Sequence, residues 1–498
     1  MNTENNEKYV LNPDYNFRND VKRAIIIANS SPQCEASNNE WLSYIHPAQA
    51  MILSFFSKPT TIENAVGELS SFLSLSNDET YHIIKPFIEN PEAVYTEYEG
   101  INCQFPKQII IKYEEHLKIN NTYTPEDFIY NELDFDSSRL IKGPSLITIM
   151  LTNICVTNCI YCYADRNEKI SCQIPFSRIK EMISEAKQLK IKDIHVGGGE
   201  FFLYNKWYEL LSELKDQGFE RNFISTKVPI TENDILKLKK FGGITFQFSF
   251  DSLSENKITK ILGVRRNYVS EMKNTLETMD KHNIPYHVIS VLTKLNSDKN
   301  DLTEMYNYLS TLKRIKYWQV RIAFKSLYSS TEFESIKLQK NERQQVFEHI
   351  DELNKQNKLK IDIDKSYLER GYFTAKKGSR SFPGATCTAN RSHMYVLPDG
   401  NVTICEQMYW KKRFIIGNVL KNSIEEIWNS PAALKWVNFT KDDFRNASAC
   451  KNCELLDECS NKYPNKCWAD VLKVYGDENW DFPDPRCIKA PQLINEII

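Results

Sequence analysis

The stretch Cys155-Val-Thr-Asn-Cys159-Ile-Tyr-Cys162 constrains this 498-residue chain more than any other feature. Gaps of three and two residues let three thiolates hold three irons of a 4Fe-4S cluster and leave the fourth iron open to a small molecule. The preceding run, Leu146-Ile-Thr-Ile-Met-Leu-Thr152, is apolar and strand-like. The cysteines are therefore expected on the loop leaving the carboxyl end of a buried strand, where open α/β sheets and β/α barrels keep their chemistry. Zinc or buried inert thiols would use the same residue type, but zinc wants a fourth protein ligand and usually pairs its cysteines as CxxC at both ends.

A chain of this length exceeds one ordinary core, and about 100–200 residues per domain gives three domains. With 63 basic and 65 acidic side chains the net charge is -2, so no global field recruits nucleic acid or an anionic membrane. Apolar runs such as Ala24-Ile-Ile-Ile-Ala28 fall far short of the roughly 20 residues of a bilayer span, and the opening MNTENNEKYV lacks a signal-peptide core. The expectation is a cytoplasmic protein with no membrane span. In that compartment thirteen cysteines are poor disulfide candidates, and their clustering argues for metal.

Along the chain, two strand candidates, 23–29 and 40–46, precede helical periods. Thr60-Thr-Ile-Glu63 and Ser76-Asn-Asp-Glu79 read as capping boxes. A polar, acidic stretch from 120 to 138 is expected to connect to a second domain. From Leu146 onward strand-like runs recur at 147–152, 193–196, 222–226, 245–250, 286–292 and 318–324, with amphipathic helical periods between them. Such alternation predicts an α/β domain of parallel βαβ units with helices outside. A charged helical segment, about 339–358, leads into a cysteine-rich tail.

The cysteine spacing, with Tyr161 just before the third cysteine, resembles the radical S-adenosylmethionine (SAM) superfamily, which implies a partial (β/α)6 barrel. That resemblance assigns the 4Fe-4S cluster to Cys155, Cys159 and Cys162. The second strand ends Val196-Gly-Gly-Gly-Glu200, similar to the family's GGE motif at Gly198, Gly199 and Glu200. Glycine lets backbone approach the methionine moiety of SAM, and Glu200 is the acceptor for its ammonium. Phe201 stands where the family often has proline. The fourth strand ends Phe248-Ser-Phe-Asp251, resembling an S-x-D whose Ser249, and more weakly Asp251, helps hold SAM. Arg265 or Arg266, after Gly263, lies where related enzymes pair an arginine with the SAM carboxylate; a solvated basic pair would look the same. Tyr161 is implied to border the adenine, and a core aromatic would read alike.

Seven further cysteines follow. Cys387 is separated by twelve residues from Gly400 and Gly400 by four from Cys405; then come Cys450-x2-Cys453, Cys459 five residues on, Cys467 after seven more, and Cys487. This order resembles the SPASM domain, a carrier of auxiliary iron-sulfur clusters. The departure is the seven-residue step to Cys467, where the family has three and this chain has Tyr463. The resemblance implies one fully ligated cluster on Cys450, Cys453, Cys459 and Cys487, and another on Cys387, Cys405 and Cys467. Some relatives add an upstream cysteine to the latter, but Gly378-Ser-Arg-Ser-Phe-Pro383 contains none. That cluster is expected to have an open iron able to take a substrate thiolate, unless another group or Cys34, Cys103 or Cys172 closes it.

Strands followed by short helices at the amino terminus resemble the winged-helix-like recognition element of enzymes that mature ribosomally made, post-translationally modified peptides. Its edge strand is implied to add the leader of a precursor peptide as a further strand. The implied division is 1–120 for this α+β domain, 121–142 for a linker, 143–335 for the barrel, 336–384 for a bridge and 385–498 for the SPASM domain. The implied enzyme uses SAM and three 4Fe-4S clusters, draws an electron from a flavodoxin or ferredoxin, and forms a cysteine sulfur-to-carbon thioether. Carbon-carbon crosslinking, sulfatase maturation and a non-catalytic metal-cluster scaffold that binds peptide are the alternatives.

Overall fold

The structure is a computed structural model that describes residues 7–28, 41–119, 121–165, 169–219, 223–329, 332–363, 387–462 and 465–492. Cys34 and the stretch 378–383 lie outside the described residues. The chain divides into two compact units, residues 1–145 with 188–193, and residues 146–187 with 194–498.

The first unit runs β1 (Lys8–Leu11), β2 (Tyr15–Asn19), β3 (Ala24–Ala28), β4 (Leu42–Ile45), α1 (Pro47–Ser54), β5 (Thr60–Thr61), α2 (Ile62–Leu73), α3 (Asn77–Ile84), β6 (Val94–Tyr98), β7 (Ile101–Phe105) and β8 (Ile110–Lys112). The two expected strands are β3 and β4. β3 is central in an antiparallel sheet of order β2-β3-β4 and is buried at all five positions, whereas β2 buries Tyr15 and Phe17 and leaves Asn16 and Asn19 half-exposed. Ile26, Ile45, Leu53, Phe56, Leu69 and Phe105 form part of one core. The second capping box forms as expected: Ser76 Oγ accepts from Glu79 N at 3.3 Å and Glu79 Oε2 accepts from Ser76 N at 3.0 Å. The first is corrected by one residue. Thr61 caps α2, accepting from Asn64 N at 3.2 Å; Thr60 and Thr61 both pair with β1, opposite Tyr9 and Lys8, and the helix starts directly after them.

The stretch expected to connect to a second domain is hydrogen-bonded to this unit. Phe17 N donates to the Tyr123 hydroxyl at 3.0 Å, and the Arg23 guanidinium donates to the carbonyls of Ser137 and Arg139. Asp20, fully buried, accepts from Ile141 N at 2.8 Å, Lys142 N at 2.9 Å and Arg23 Nε at 3.1 Å. Arg18 and Arg23 are also buried.

In the second unit the six expected strands appear as β9 (Leu146–Thr152), β10 (Asp193–Gly198), β11 (Phe223–Thr226), β12 (Thr245–Ser249), β13 (Tyr286–Leu292) and β14 (Ile315–Ile322). Between them run α4 (Phe176–Gln188), α5 (Trp207–Asp216), α6 (Glu232–Lys239), α7 (Glu255–Leu262), α8 (Tyr268–Lys281) and α9 (Lys299–Leu309). α4 buries Ile179, Met182, Ile183 and Ala186, one stripe at helical spacing. After α10 (Phe333–Ile336) and α11 (Lys340–Asn354), β15 (Ile361–Ile363) extends a five-stranded parallel sheet of order β11-β12-β13-β14-β15. Parallel neighbours need crossover connections, which the helices supply.

β9 and β10 belong to a second sheet, completed by β16 (His393–Val396), β17 (Asn401–Thr403) and β18 (Ile415–Asn418) in the order β10-β9-β16-β17-β18. β16 pairs with β9 in parallel, His393 opposite Leu146. The strand feeding the first three cysteines is thereby bonded to a strand of the cysteine-rich region.

Replacing Asp20 by Ala leaves two buried guanidinium groups short of their carboxylate. Asp20→Ala is expected to destabilise the chain by about 3–5 kcal/mol, read as a lower urea midpoint. A change within about 0.5 kcal/mol, the range of an ordinary surface substitution, would contradict this.

Candidate cluster and cofactor site

The loop after β9 carries Cys155, Cys159 and Cys162, of which Cys159 is buried and the others half-buried. Thr157 Oγ1 lies 3.2 Å from both the Cys155 and Cys159 sulfurs, drawing two thiols toward one point. Burial pushes the Cys159 thiol up to about 11, while Lys227 and Thr157 pull the other way. A metal that replaces the thiol proton removes that burial penalty.

Backbone bonds hold this loop from two sides. Thr152 and Ile154 accept from the amides of Gly199 and Glu200, and the last carbonyls of α7, Ile261 and Leu262, accept from Ile160 and Asn158. Gly263 ends α7 at φ +66°, and a Cβ there would press on Asn158 at 3.2 Å. Gly198 has φ +140°, and a Cβ there would overlap the Thr152 carbonyl oxygen. One on Gly199 would overlap the Ile154 carbonyl. These glycines are required by the approach of two protein backbones, a use of the motif beyond the approach to SAM that its sequence suggests. A Cβ on Gly197 meets nothing within 4 Å.

Glu200 is buried, with 2% of its surface exposed. Its Oε1 accepts from Phe202 N at 3.2 Å and Thr226 Oγ1 at 2.9 Å, and its Oε2 from Lys227 N at 3.3 Å. Burial raises its pKa above the ordinary glutamate value, and those donors act against the rise. A carboxylate has about four lone-pair sites, so Oε2 retains capacity for a cation.

Lys227, which the sequence does not single out, stands at the end of β11 in the centre of this arrangement. Its ammonium donates to the Tyr161 hydroxyl at 2.7 Å and lies 3.4 Å from Asp251 Oδ2. Burial acts to lower its pKa, yet Asp251 and Cys159 hold it above the ordinary lysine value. Tyr161 donates to Asp251 Oδ2, and Asp251 Oδ1 accepts from Val291 N at 2.8 Å. The Tyr268 hydroxyl donates to the Lys227 carbonyl at 2.7 Å and to the Ser249 carbonyl at 3.4 Å. The predicted Tyr161 and Asp251 thus meet beside the cysteine loop, fixed by Lys227, and Ser249 is tied in through its backbone carbonyl, which accepts from Tyr268. Arg265 is exposed, on the turn between α7 and α8.

Cys450, Cys453, Cys459 and Cys487 line one cavity with Leu456, Lys466 and Asp484. Cys387 lies close enough to Cys405 and Cys467 for its charge to raise both thiols, with Cys405 pushed up to about 12 chiefly by burial. Glu406, also missed, is pushed up by burial and raises both Tyr163 and Tyr395; Tyr163 in turn feels Cys162 and Cys405. Cys103 is buried beside His46 N at 3.3 Å, and Cys172 lies 3.6 Å from the Ile174 carbonyl.

Among the described residues no group of three or more His, Cys, Asp or Glu is drawn together closely enough to hold a metal ion as it stands, and two local features suit iron-sulfur clusters. At the first site two thiols converge on Thr157 near a cation. At the four-cysteine site the buried Lys466 nitrogen has no hydrogen-bond partner among the described residues, as expected of a donor whose acceptor is not part of the chain. Among the described residues no helix is long and apolar enough to cross a membrane.

Residues 149–309 match the radical SAM superfamily, and residues 387–454 match the SPASM iron-sulfur cluster-binding domain. The second match includes Cys387, Cys405, Cys450 and Cys453; Cys459, Cys467 and Cys487 follow it. The chain is similar to the sporulation killing factor maturation protein SkfB of Bacillus subtilis, 24% identical over 337 residues, covering 66% of this chain and 73% of SkfB. It is similar to the mycofactocin maturase MftC of Mycolicibacterium smegmatis, 21% identical over 372 residues, covering 72% of this chain and 87% of MftC. Its fold resembles Streptococcus suis SuiB bound to precursor peptide SuiA, with a TM-score of 0.63 and 14% identity over 96% of this chain and 100% of that one.

The three glycines predict a graded series. Gly198→Ala and Gly199→Ala are each expected to cost about 1–3 kcal/mol through overpacking and to lower the iron bound per chain after anaerobic reconstitution. Gly197→Ala, with open space at its Cβ, is expected to do neither. Equal losses in all three, by thermal unfolding and iron analysis, would refute the backbone-approach role.

Proposed function

Because this chain carries a radical SAM domain followed by an SPASM domain, we propose that it modifies a ribosomally made precursor peptide, joining a cysteine sulfur to carbon as a thioether. The observation that carries this reading is the convergence of Cys155, Cys159, Glu200, Lys227 and Asp251 at the ends of β9 to β12, in the unit that also holds seven tail cysteines. Cys155, Cys159 and Cys162 would hold the cluster to which SAM binds, and the pair would supply hydrogen-abstracting radical chemistry there.

The chain's own part is binding and placement. Glu200 accepts the SAM ammonium on Oε2, its other oxygen being held by Phe202 and Thr226. Ser249 and Arg265 take the carboxylate and ribose end, and Tyr161 borders the adenine with its hydroxyl held by Lys227 and Asp251. The amino-terminal domain, 1–120, binds the leader, with β2 and β4 as sheet edges to which an extended segment adds. The barrel occupies 143–335 and the SPASM domain 385–498, the latter with clusters on Cys450, Cys453, Cys459 and Cys487 and on Cys387, Cys405 and Cys467.

Thioether chemistry is favoured over carbon-carbon coupling by one sequence fact. No cysteine occurs between Cys172 and Cys387, so the Cys387 set has three thiolates and a place for a peptide thiolate. A flavodoxin or ferredoxin supplies the electron in the cytoplasm. The names of SkfB and MftC, both maturases, and SuiB's structure with its precursor peptide support a peptide substrate.

Reconstituted anaerobically, the chain is expected to bind about 12 irons and to release 5'-deoxyadenosine from SAM with reductant. Given a cysteine-containing precursor peptide, sought among small open reading frames next to its gene, it is expected to remove two hydrogen atoms from that peptide, and prior thiol alkylation of the peptide is expected to block the loss. An unblocked loss would establish carbon-carbon chemistry; no nucleoside product would end the enzyme reading.

Glu200 predicts a pH dependence. Its raised pKa means that acidification protonates it above the ordinary glutamate value of about 4.3, and the neutral acid no longer attracts an ammonium. SAM affinity should fall with acidification in the wild type. In Glu200→Gln it should be about tenfold weaker, the cost of one charge-assisted bond of ~1.4 kcal/mol, and flat over the same range. Calorimetric titration of the reconstituted protein measures both, and a parallel pH profile in the variant would exclude Glu200 as the acceptor.

A further inference from the structure

We propose that Lys466 is the internal cation of the four-cysteine cluster and raises its reduction potential. The inference rests on the reading that Cys450, Cys453, Cys459 and Cys487 hold a 4Fe-4S cluster. Lys466 is 6% exposed, lines the same cavity as those thiols, and its nitrogen has no hydrogen-bond partner among the described residues.

Its other neighbours leave the cavity as the place for its donors. The nitrogen sits 4.0 Å from the Trp468 ring centroid and 5.4 Å from that of Phe444. Both nearby carboxylates have guanidinium partners already. Asp481 accepts from Arg445 Nε at 3.0 Å, and Asp484 accepts from Arg486 at 2.7 and 2.8 Å and from Cys467 N at 2.9 Å. An unpaired buried ammonium is costly, and a cavity lined by four thiolates and filled by an anionic cluster removes that cost.

The residue also belongs to the feature that sets this chain apart. It is the last residue of the seven-residue step between Cys459 and Cys467. Lys466 lines the cavity together with Cys450 and Cys459, whereas its neighbour Cys467 is not among the lining residues. The lengthened step thus places a cation at one cluster and a ligand at the other. Adding one electron makes the four-cysteine cluster one charge more negative, so a fixed ammonium stabilises the reduced form more than the oxidised one. In a titration that electron comes from dithionite. Lys489, whose nitrogen is 3.5 Å from Cys453 Sγ at the exposed rim, is screened by solvent and contributes less.

The test is an anaerobic potentiometric titration of the reconstituted full chain by electron paramagnetic resonance, comparing Lys466→Met, Lys466→Arg and Lys489→Met. The SAM-binding cluster is identified by its response to added SAM. Lys466→Met is expected to lower the reduced-to-oxidised ratio of one other cluster about tenfold at fixed potential, a shift of ~59 mV for one electron. Lys466→Arg should stay within about threefold of wild type, and Lys489→Met likewise. Without iron, Lys466→Met should melt higher than wild type, since it removes an unpaired buried charge; a purely structural lysine would not combine a more stable apo-protein with a lower potential. Loss of about four irons in Lys466→Met alone supports the charge role as well. Unshifted potentials in fully loaded Lys466→Met, or equal iron loss in both Lys466 variants, would overturn the proposal. Wild-type protein that binds only about four irons would instead overturn the cluster assignment beneath it.

Discussion

Backbone hydrogen bonding from two directions onto the loop after β9 is the constraint on which the rest of the site depends. The loop has no regular structure to hold its own shape, and ordering each residue costs about 1–2 kcal/mol of backbone entropy. Gly199 and Glu200 bond to Thr152 and Ile154 on one side; Asn158 and Ile160 bond to the carboxyl end of α7 on the other. Together the two clamps fix where the loop's three cysteines stand. The clamps also explain why small residues gather here, since a Cβ at Gly198 or Gly199 meets a carbonyl oxygen and one at Gly263 meets Asn158.

Buried charge is the second organising element. Lys227 sits between Tyr161 and Asp251 within the field of Cys155 and Cys159, so a cation is already present where thiolates must form. Glu200 supplies the opposite sign a short distance away, bonded through Lys227's own backbone amide. In a poorly solvated site such charges act at far greater strength than at the surface. Asp470, Arg486 and Asp484 repeat the arrangement in the tail, where Arg486 bridges the two carboxylates.

Much of this was legible in the residues themselves, for a physical reason. Ligands of one cluster that come from one loop must be close in sequence, so Cys155, Cys159 and Cys162 announce themselves, and so does a glycine run at a strand end. Lys227 carries no such mark: beside Thr226 at the end of a short strand it looks like any solvated lysine, and its role comes from Asp251, 24 positions away. Lys466 is equally plain in sequence. The one-residue error at Thr60 arose because Thr60 and Thr61 are chemically the same cap, and only where strand β5 gives way to α2 decides between them. Short strands such as β1, β6 and β8 passed unnoticed because three to five residues carry too little periodicity.

The sequence by itself determined the chemistry on offer: an open three-thiolate loop, a glycine-glutamate strand end, seven tail cysteines in their order, and alternating strands and helices. These are local signals, set by spacing along the chain. Tertiary structure alone decided which groups meet. It paired β9 with β16 across more than 240 positions, gave the glycines a backbone to press against, and brought Lys227 to Asp251 and Lys466 to the four-cysteine cavity. Hydrogen bonds and Coulomb forces act through space, and no spacing rule in one dimension encodes contacts that folding closes in three.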